Sequence, residues 1–299
     1  LVIEYKPQEL LKRKKHMTHF AAFTNVMVPK EALDTVDIAT IEAQVDKMYE
    51  PYYEQTEDPQ YLVTEEDEKY GDYQYNPNAK WDWYVIGGRF EGSFLNKETI
   101  TTYMDGQLVK AKDLHDYVSD TLTKVEDTAR EFLTEYKELA DQFGPRPELP
   151  NYDDVTSQKM TIDEYRENMD QVRQTEFYQK LVELVKSTND KVEQKYGIDP
   201  DYLFMFSSTV NDILFNVTLE DEEKDFKECV AILEWFSPVV YVDEEKWCER
   251  GSVGWFGIVG DDQREDTKWV YEYADLIAKA AEKSTDDEES CIVIVDVHI

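Results

Sequence analysis

The sequence CIVIVDVHI at residues 291–299 predicts a strand, because its β-branched side chains suit a buried, pleated surface. The alternation of a strand places Asp296 and His298 on one face of it. A second β-rich run, FAAFTNVMV at residues 20–28, begins directly after His19. If the two runs are neighbours in one sheet, these three polar side chains converge at one end of it.

Two histidines and an aspartate offer two kinds of chemistry. They are ligands for a divalent metal, and they also suit a general acid–base cluster. The simpler interpretation is that His19, Asp296 and His298 satisfy hydrogen bonds at strand ends. Cys248, in KWCERG, is a further candidate as a nucleophile beside one of the histidines. The sequence contains no GxSxG, HExxH or kinase-type motif that would choose between these alternatives.

The segment KWDWYVIGGRFEGSF at residues 80–94 is rich in aromatic side chains. If it is extended, Trp81 and Trp83 share one face, and Asp82 and Tyr84 share the other. The indoles then serve as core or as a stacking surface for a ligand or a protein partner.

The glycine pair and the arginine that follow this strand allow a second reading of the segment. Gly87 and Gly88 lack the spacing of a phosphate-binding loop, and a bulge or a close backbone approach explains them better. Arg89 is a candidate to stack on the indoles or to pair with Asp82. Together these residues are candidates for binding a ligand or a partner, as is Trp255 in GWFG.

The charge of the chain restricts its partners. The 299 residues include 66 Asp and Glu against 32 Lys and Arg, a formal net charge of −34. Because nucleic acid is itself a polyanion, direct nucleic-acid binding is disfavoured and a partner with a basic surface is favoured. The simpler alternative is that the charge only keeps the protein soluble.

The cysteines and the apolar runs indicate the compartment. Cys229, Cys248 and Cys291 are widely spaced and form no CxxC pair, which favours a reduced, cytosolic setting and neither a zinc site nor a disulfide framework. No run of 18 apolar residues occurs, so no membrane span is expected. No cofactor is expected either.

The middle of the chain predicts long helices. From residue 110 to Phe143 the apolar residues recur every three or four positions, and Gly144 and Pro145 end the pattern. A second helical region covers 161–196. The pair is expected to form an arm for oligomerisation or partner binding, or a helical layer packed over a sheet.

These patterns predict an α+β fold with a mixed or antiparallel sheet and a long helical insertion. Strands are predicted at 202–208 and 212–220, and helices at 221–236 and 265–284. The predicted parts are a basic N-terminal extension at 1–16, the first part of the α+β domain at 17–109, the helical insertion or arm at 110–200, and the rest of the α+β domain at 201–299.

Four blocks resemble a family of uncharacterised bacteriophage and prophage proteins: MTHF at 17–20, NPNAKWDWYVIGGRF at 76–90, GWFG at 254–257 and VDVHI at 295–299. Members of that family usually have Trp where this chain has Phe90, and Cys where it has Val297. The long helices are not part of the resemblance.

The resemblance implies a phage origin and a place in the host cytoplasm. Many accessory phage proteins of this kind inhibit host defence, and the anti-Gabija proteins, which act on a nuclease–helicase complex, are of similar length. We therefore expect a homo-oligomeric, non-enzymatic inhibitor that binds a host defence complex stoichiometrically and blocks its access to DNA. The alternative is an enzyme whose pocket combines the Trp81–Arg89 segment with His19 and His298.

Overall fold

The computed structural model of the chain describes residues 19–67, 71–91, 100–196, 206–233, 238–251 and 263–298. Within these ranges the chain has the α+β fold that the sequence predicts, with eight α-helices and nine strands. The basic segment 1–16, the GWFG element with Trp255 and residues 202–205 of a predicted strand lie outside the described residues.

Most of the strands belong to one sheet. The nine strands are β1 (His19–Pro29), β2 (Val63–Asp67), β3 (Gly71–Tyr75), β4 (Trp83–Ile86), β5 (Thr102–Tyr103), β6 (Leu108–Lys110), β7 (Val240–Val242), β8 (Trp247–Glu249) and β9 (Glu288–His298). Seven form a mixed sheet with the order β5–β6–β9–β1–β7–β8, in which β4 also pairs with β9. The strands β2 and β3 form a separate hairpin within the polar segment 51–79.

The strand β9 is the centre of the sheet. It pairs antiparallel with β1 over eleven residues, with His19 opposite His298. Its other edge is shared by β6, opposite residues 291–293, and by β4, opposite residues 295–298. The pair β1–β7 is parallel, which makes the sheet mixed. The strands predicted at 20–28 and 291–299 are therefore neighbours, although about 260 residues of chain separate them.

The helices differ widely in length. They are α1 (Ile38–Tyr49), α2 (Ala111–Phe143), α3 (Asp153–Thr156), α4 (Ile162–Gln174), α5 (Glu176–Tyr196), α6 (Phe206–Asn216), α7 (Glu222–Leu233) and α8 (Gln263–Ala281). The long helix predicted from residue 110 is confirmed as α2, which has 33 residues. It ends as predicted at Gly144, whose φ of +88° is the left-handed conformation that glycine adopts at little cost.

Alternation along the central strands creates an apolar core on one face of the sheet. From β9 this face receives four fully buried side chains: Cys291, Val293, Val295 and Val297. The helix α1 covers the face with one stripe of residues: Ile41, Val45, Met48 and Tyr49. On the opposite face, the rings of Phe23 in β1 and Tyr273 in α8 lie 6.2 Å apart. Both faces of β9 are thus covered, which explains its nearly continuous apolar sequence.

The chain divides into two compact units. One comprises Leu1–Ser119 with Phe236–Ile299 and contains the sheet, and the other comprises Asp120–Trp235 and is helical. Inside the helical unit, Tyr136 of α2 stacks on Phe132 and meets Phe177 of α5 edge-on. These aromatic contacts join two helices that are adjacent in space but separated by forty residues in sequence.

The strand predicted at 212–220, and the end of the one predicted at 202–208, are wrong, because this part of the chain is the helix α6. A short apolar run fits a period of two and a period of 3.6 equally well. The buried residues follow the helical stripe: Val210, Ile213, Leu214 and Val217. Phe215, which a half-buried strand would place in the core, is 59% exposed.

The helical region predicted over 161–196 consists of two helices. The backbone of Thr175 is extended, with φ −65° and ψ 145°, and it ends α4. Its hydroxyl oxygen then accepts the backbone N–H of Tyr178 in the first turn of α5. A hydroxyl side chain that caps a helix favours such a break, since it satisfies a donor that lacks a partner within the helix.

Candidate functional site

The register of β1 and β9 brings two histidines together at one end of the sheet. His19 opens β1 and lies directly opposite His298. Asp296 precedes His298 by two residues and therefore lies on the same face. Across the other edge of β9, the strand β4 begins with Trp83 opposite His298. The two strands are neighbours, and His19, Asp296 and His298 therefore converge as predicted.

His19 forms an imidazole–carboxylate pair with Asp296. The Nδ1 atom of His19 lies 2.7 Å from Oδ1 of Asp296. The other carboxylate oxygen, Oδ2, accepts the backbone N–H of Arg89 at 3.0 Å. The side chains of His19 and Asp296 are only 9% and 3% exposed. Both oxygens of Asp296 are therefore engaged, and the carboxylate is held in position.

His298 forms a second imidazole–carboxylate pair with Asp82. Nδ1 of His298 is hydrogen-bonded to Oδ1 of Asp82. The backbone N–H of Asp82 also donates to the carbonyl oxygen of His298 at 3.1 Å, which ties the two residues together through the main chain. The side chain of His298 is 5% exposed and that of Asp82 is 15% exposed. Asp82 is thus the better solvated of the two carboxylates.

The two imidazoles and one indole form a compact aromatic cluster. The ring centroids of His19 and His298 are 5.0 Å apart. Trp83 stacks on His298 with centroids 4.7 Å apart and an interplanar angle of 23°. It meets His19 nearly perpendicularly, at 5.1 Å. Because Trp83 is 41% exposed, the cluster reaches the surface of the protein through its indole.

The carboxylates decide which ring nitrogen of each histidine is available. Nδ1 faces a carboxylate in both His19 and His298, so the neutral ring carries its proton on Nδ1 and leaves the lone pair on Nε2. In the part of the chain that the structure describes, neither Nε2 has a hydrogen-bond partner. Two oriented imidazoles this close together are able to exchange protons with one bound molecule.

The turn after β4 consists of glycines because it approaches Asp296 closely. Gly87 and Gly88 have φ values of 74° and 53°, in the left-handed region. A Cβ atom at Gly88 would lie 2.5 Å from Oδ2 of Asp296. The close approach lets the N–H of Arg89 reach that oxygen. The turn therefore fits the explanation of the glycine pair as a bulge or a close backbone approach, and not as a phosphate-binding loop.

Trp81 and Tyr84 contact the core and not the imidazoles. The Nε1–H of Trp81 donates to the carbonyl oxygen of Tyr49 at 2.9 Å. The Tyr84 hydroxyl donates to Oδ1 of Asp46 at 2.5 Å, and burial together with this carboxylate raises the pKa of Tyr84. The prediction that Trp81 and Trp83 share one face is wrong, because β4 begins only at Trp83.

The side chains of the cluster are not arranged as a metal site. A metal needs three or four ligands, and both carboxylates here are bonded to Nδ1 atoms. Within the described ranges, no group of three or more His, Cys, Asp or Glu side chains is arranged to hold a metal ion. Of the two alternatives for Arg89, the pairing with Asp82 is not observed, because Asp82 bonds His298 and the Arg89 side chain is exposed.

Cys248 lies away from the histidines. It is on β8 opposite Tyr241, which in turn lies opposite Phe23 of β1. Phe23 is four residues from His19, about 13 Å along an extended strand. Burial raises the pKa of the Cys248 thiol, whereas a nucleophilic cysteine needs a lowered pKa. The candidate nucleophile is therefore not part of this site.

One acidic residue beside the site escaped prediction from sequence. Partial burial and the charge of Asp82 raise the pKa of Glu54. The backbone N–H of Glu54 donates to the carbonyl oxygen of Trp81 at 2.9 Å, which holds the loop next to Asp82. Nothing in the polar segment 51–79 distinguishes this glutamate from its neighbours, since its position depends on how the loop folds.

Comparison with protein-family models, curated proteins and solved structures yields no match for this chain. The class of site is therefore defined by its own geometry: two histidines, each oriented through Nδ1 by a carboxylate, beside an exposed indole. No helix among the described residues is long and apolar enough to cross a membrane.

Proposed function

We propose that the chain is a hydrolytic enzyme in which His19 and His298 act as a general acid–base pair. The observation that carries the proposal is the meeting of two imidazole–carboxylate pairs with their imidazole centroids 5.0 Å apart. A carboxylate at Nδ1 holds an imidazole in one tautomer and orientation and stabilises its protonated form. Side chains that only satisfy hydrogen bonds at strand ends do not need two such imidazole–carboxylate pairs.

Hydrolysis of an ester suits this pair. One Nε2 removes a proton from water as the water oxygen bonds to the carbonyl carbon or phosphorus of the ester. The other Nε2 gives its proton to the leaving oxygen as that bond breaks. Solvent then removes the proton from the first ring and protonates the second, so that one water is consumed and both rings are restored.

The surroundings of the pair favour a small substrate with a planar group. Trp83 and Val85 are neighbours on one face of β4, and they are 41% and 46% exposed. A ring stacked on an exposed indole gains about 0.5–1.5 kcal/mol beyond the area that it buries. The net charge of −34 disfavours a polyanion such as nucleic acid as the substrate.

Turnover by the purified protein tests the proposal. Chromogenic carboxyl esters and phosphate diesters are assayed together with a metabolite extract followed by mass spectrometry. We expect His19→Gln and His298→Gln each to lower turnover at least about 100-fold, the usual contribution of a general acid or base. His115→Gln, at a partly exposed position on α2, is the matched control and keeps full activity. Equal conversion of every compound by the wild type and a folded His19→Gln/His298→Gln variant would refute the proposal.

We also propose a second function, supported by the charge of the chain: stoichiometric inhibition of a host defence complex. The helix α4 exposes a face with four acidic side chains, two of which pair with Arg166 and Arg173 of the same helix: Asp163, Glu164, Glu167 and Asp170. Such a face complements a basic DNA-binding surface and speeds association with it. The resemblance to phage proteins supports a partner such as the Gabija nuclease–helicase complex.

Titration of that complex with the protein separates this function from the first. Inhibition of DNA cleavage is expected to saturate at a fixed molar ratio and to weaken as salt is raised, since salt screens exposed charges. Inhibition by a small fraction of one equivalent would contradict stoichiometric binding. His298→Gln serves as a control, because it is expected to leave this inhibition unchanged.

A further inference from the structure

We infer that the outer edge of strand β2 is the docking site for an extended, basic segment of a partner protein, which adds to the hairpin β2–β3 as a third strand. The inference rests on the second proposed function, and it names the part of the chain that contacts the partner. A strand added to an exposed sheet edge is held by main-chain hydrogen bonds, and its alternate side chains provide specificity.

The hairpin has an edge that is open for pairing. It is a sheet of two strands, in which Val63 lies opposite Tyr75 and Asp67 lies opposite Gly71. Among the strands that the structure describes, none pairs with the outer edge of β2. A strand at the edge of a sheet presents a row of backbone N–H and C=O groups to which a further strand can bond. The strand β2 therefore offers five residues of backbone to a partner.

The hairpin is exposed on both of its faces. Four consecutive side chains of β2, two on each face, are exposed: Val63, Thr64, Glu65 and Glu66. On β3, Tyr73 is 45% exposed. A two-stranded hairpin is marginally stable in water, and a third strand or a packed face stabilises it. A partner strand on the outer edge of β2 supplies that third strand.

Two tyrosines fix a negative charge on the edge strand. The rings of Tyr73 and Tyr75 stack with centroids 5.7 Å apart and an interplanar angle of 29°. Both hydroxyls donate to the carboxylate of Glu65, each at 2.7 Å. These hydrogen bonds lower the pKa of Glu65, which keeps its carboxylate charged at neutral pH. One face of the hairpin thus combines an oriented carboxylate with an aromatic surface.

The charges on the other face favour a basic partner. Glu66 lies directly opposite Asp72, and both side chains are exposed. Like charges directly opposite each other destabilise a pair of strands. A lysine or arginine of a third strand, beside Glu66, offsets this repulsion. A second copy of the hairpin would add carboxylates at the same place and nucleic acid would add phosphates, so neither suits this edge.

Titration with a basic peptide, followed by NMR of the ¹⁵N-labelled protein at low salt, tests the inference. The probe is a short peptide with three central lysines flanked by valine and threonine, and the control peptide has glutamates in place of the lysines. We expect the lysine peptide to shift the amide signals of β2 and to slow hydrogen exchange at alternate amides between Val63 and Asp67, because successive N–H groups of a strand point to opposite edges. The glutamate peptide is expected to do neither.

A charge reversal separates pairing at this edge from attraction to the acidic chain as a whole. Glu66→Lys places a cation opposite Asp72, which favours the hairpin, and it repels the lysines of the peptide. We expect it to weaken peptide binding about 2- to 30-fold, as cross-strand charge pairs change from favourable to unfavourable. Glu167→Lys, at an exposed position of α4, makes the same change of charge and is the matched control, which is expected to bind as the wild type does.

Shifted signals without slowed exchange would overturn the inference, and so would equal binding by the Glu66→Lys variant. Slowed exchange in β2 that needs no peptide and grows with protein concentration would overturn it in favour of a second copy as the occupant. Because no defence complex is present in this measurement, the peptide can fail to bind while inhibition stays stoichiometric through another surface, and it can bind when inhibition fails.

Discussion

Asp296 is the residue at which the contacts of the site meet. One of its carboxylate oxygens is hydrogen-bonded to Nδ1 of His19, and the other accepts the backbone N–H of Arg89. Gly88 lies so close to it that no larger residue fits without displacing the carboxylate. A residue without a side chain thus determines the position of the carboxylate that orients His19 in the proposed acid–base pair.

Substitution of Gly88 by alanine tests this close approach. A left-handed alanine costs about 1–2 kcal/mol by itself, and the overlap with Asp296 adds roughly 1–3 kcal/mol. Gly144→Ala is the matched control, because Gly144 has a φ of +88° and no atom within 4 Å of a Cβ placed there. We expect urea denaturation to show a larger loss for Gly88→Ala. A loss equal to that of Gly144→Ala would show that the contact with Asp296 has no effect.

The reactivity of Cys248 tests its exclusion from the site. Because burial raises the pKa of this thiol, its thiolate fraction at pH 8 is lower than that of a free cysteine. We expect iodoacetamide to modify Cys248 more slowly than glutathione at pH 8, and faster as the pH rises. Cys291, whose pKa burial raises to about 12, is expected to react more slowly still. Modification of Cys248 faster than glutathione would restore it as a candidate nucleophile.

Among the elements, α6 shows where sequence patterns and structure diverge. Its residues alternate well enough to predict a strand, yet the helix buries Leu214 and exposes Phe215. The helix buries Leu214, whereas a strand here would bury Phe215. A pair of substitutions therefore distinguishes them.

In the helix, Phe215→Ser is expected to change the free energy of unfolding by less than about 0.5 kcal/mol, as exposed positions do. Leu214→Ala is expected to cost about 2–5 kcal/mol, because it leaves a cavity. Urea denaturation of the two variants gives both values. The reverse order, with Phe215 the costly position, would indicate the strand.

The elements also explain how much is predictable. The helix α2 was predictable because its long apolar pattern fits a period of 3.6 only, and β1 and β9 were predictable from runs rich in β-branched and aromatic side chains. The meeting of His19 with His298 followed from those strands once they were taken as neighbours. The hydrogen bond between His298 and Asp82 was not predictable, because it depends on β4 beginning at Trp83 and not at Trp81.

For the whole molecule, the net charge of −34 is the dominant property. Like charges on a compact chain repel, and exposed ion pairs such as Arg166–Asp163 compensate little, since each is worth about 0–1 kcal/mol. Salt screens the repulsion, with a Debye length that falls from about 30 Å at 0.01 M to about 10 Å at 0.1 M.

We therefore expect the Tm to rise when NaCl is increased from about 0.01 M to about 0.1 M and above, where screening becomes effective. Differential scanning calorimetry measures it directly. NaCl is preferable to sulfate, which stabilises proteins by exclusion from their surface as well. A Tm that falls with added NaCl would show that attractive ion pairs outweigh the repulsion.

The dependence of kcat/KM on pH, for an ester that the protein hydrolyses, tests the paired acid–base site most directly. A base that must be neutral and an acid that must be protonated give a bell-shaped profile. We predict such a bell for the wild type, and the loss of one limb in each of the variants His19→Gln and His298→Gln, with a different limb lost in each. A wild-type profile with a single limb, or variants that keep both limbs, would contradict the account.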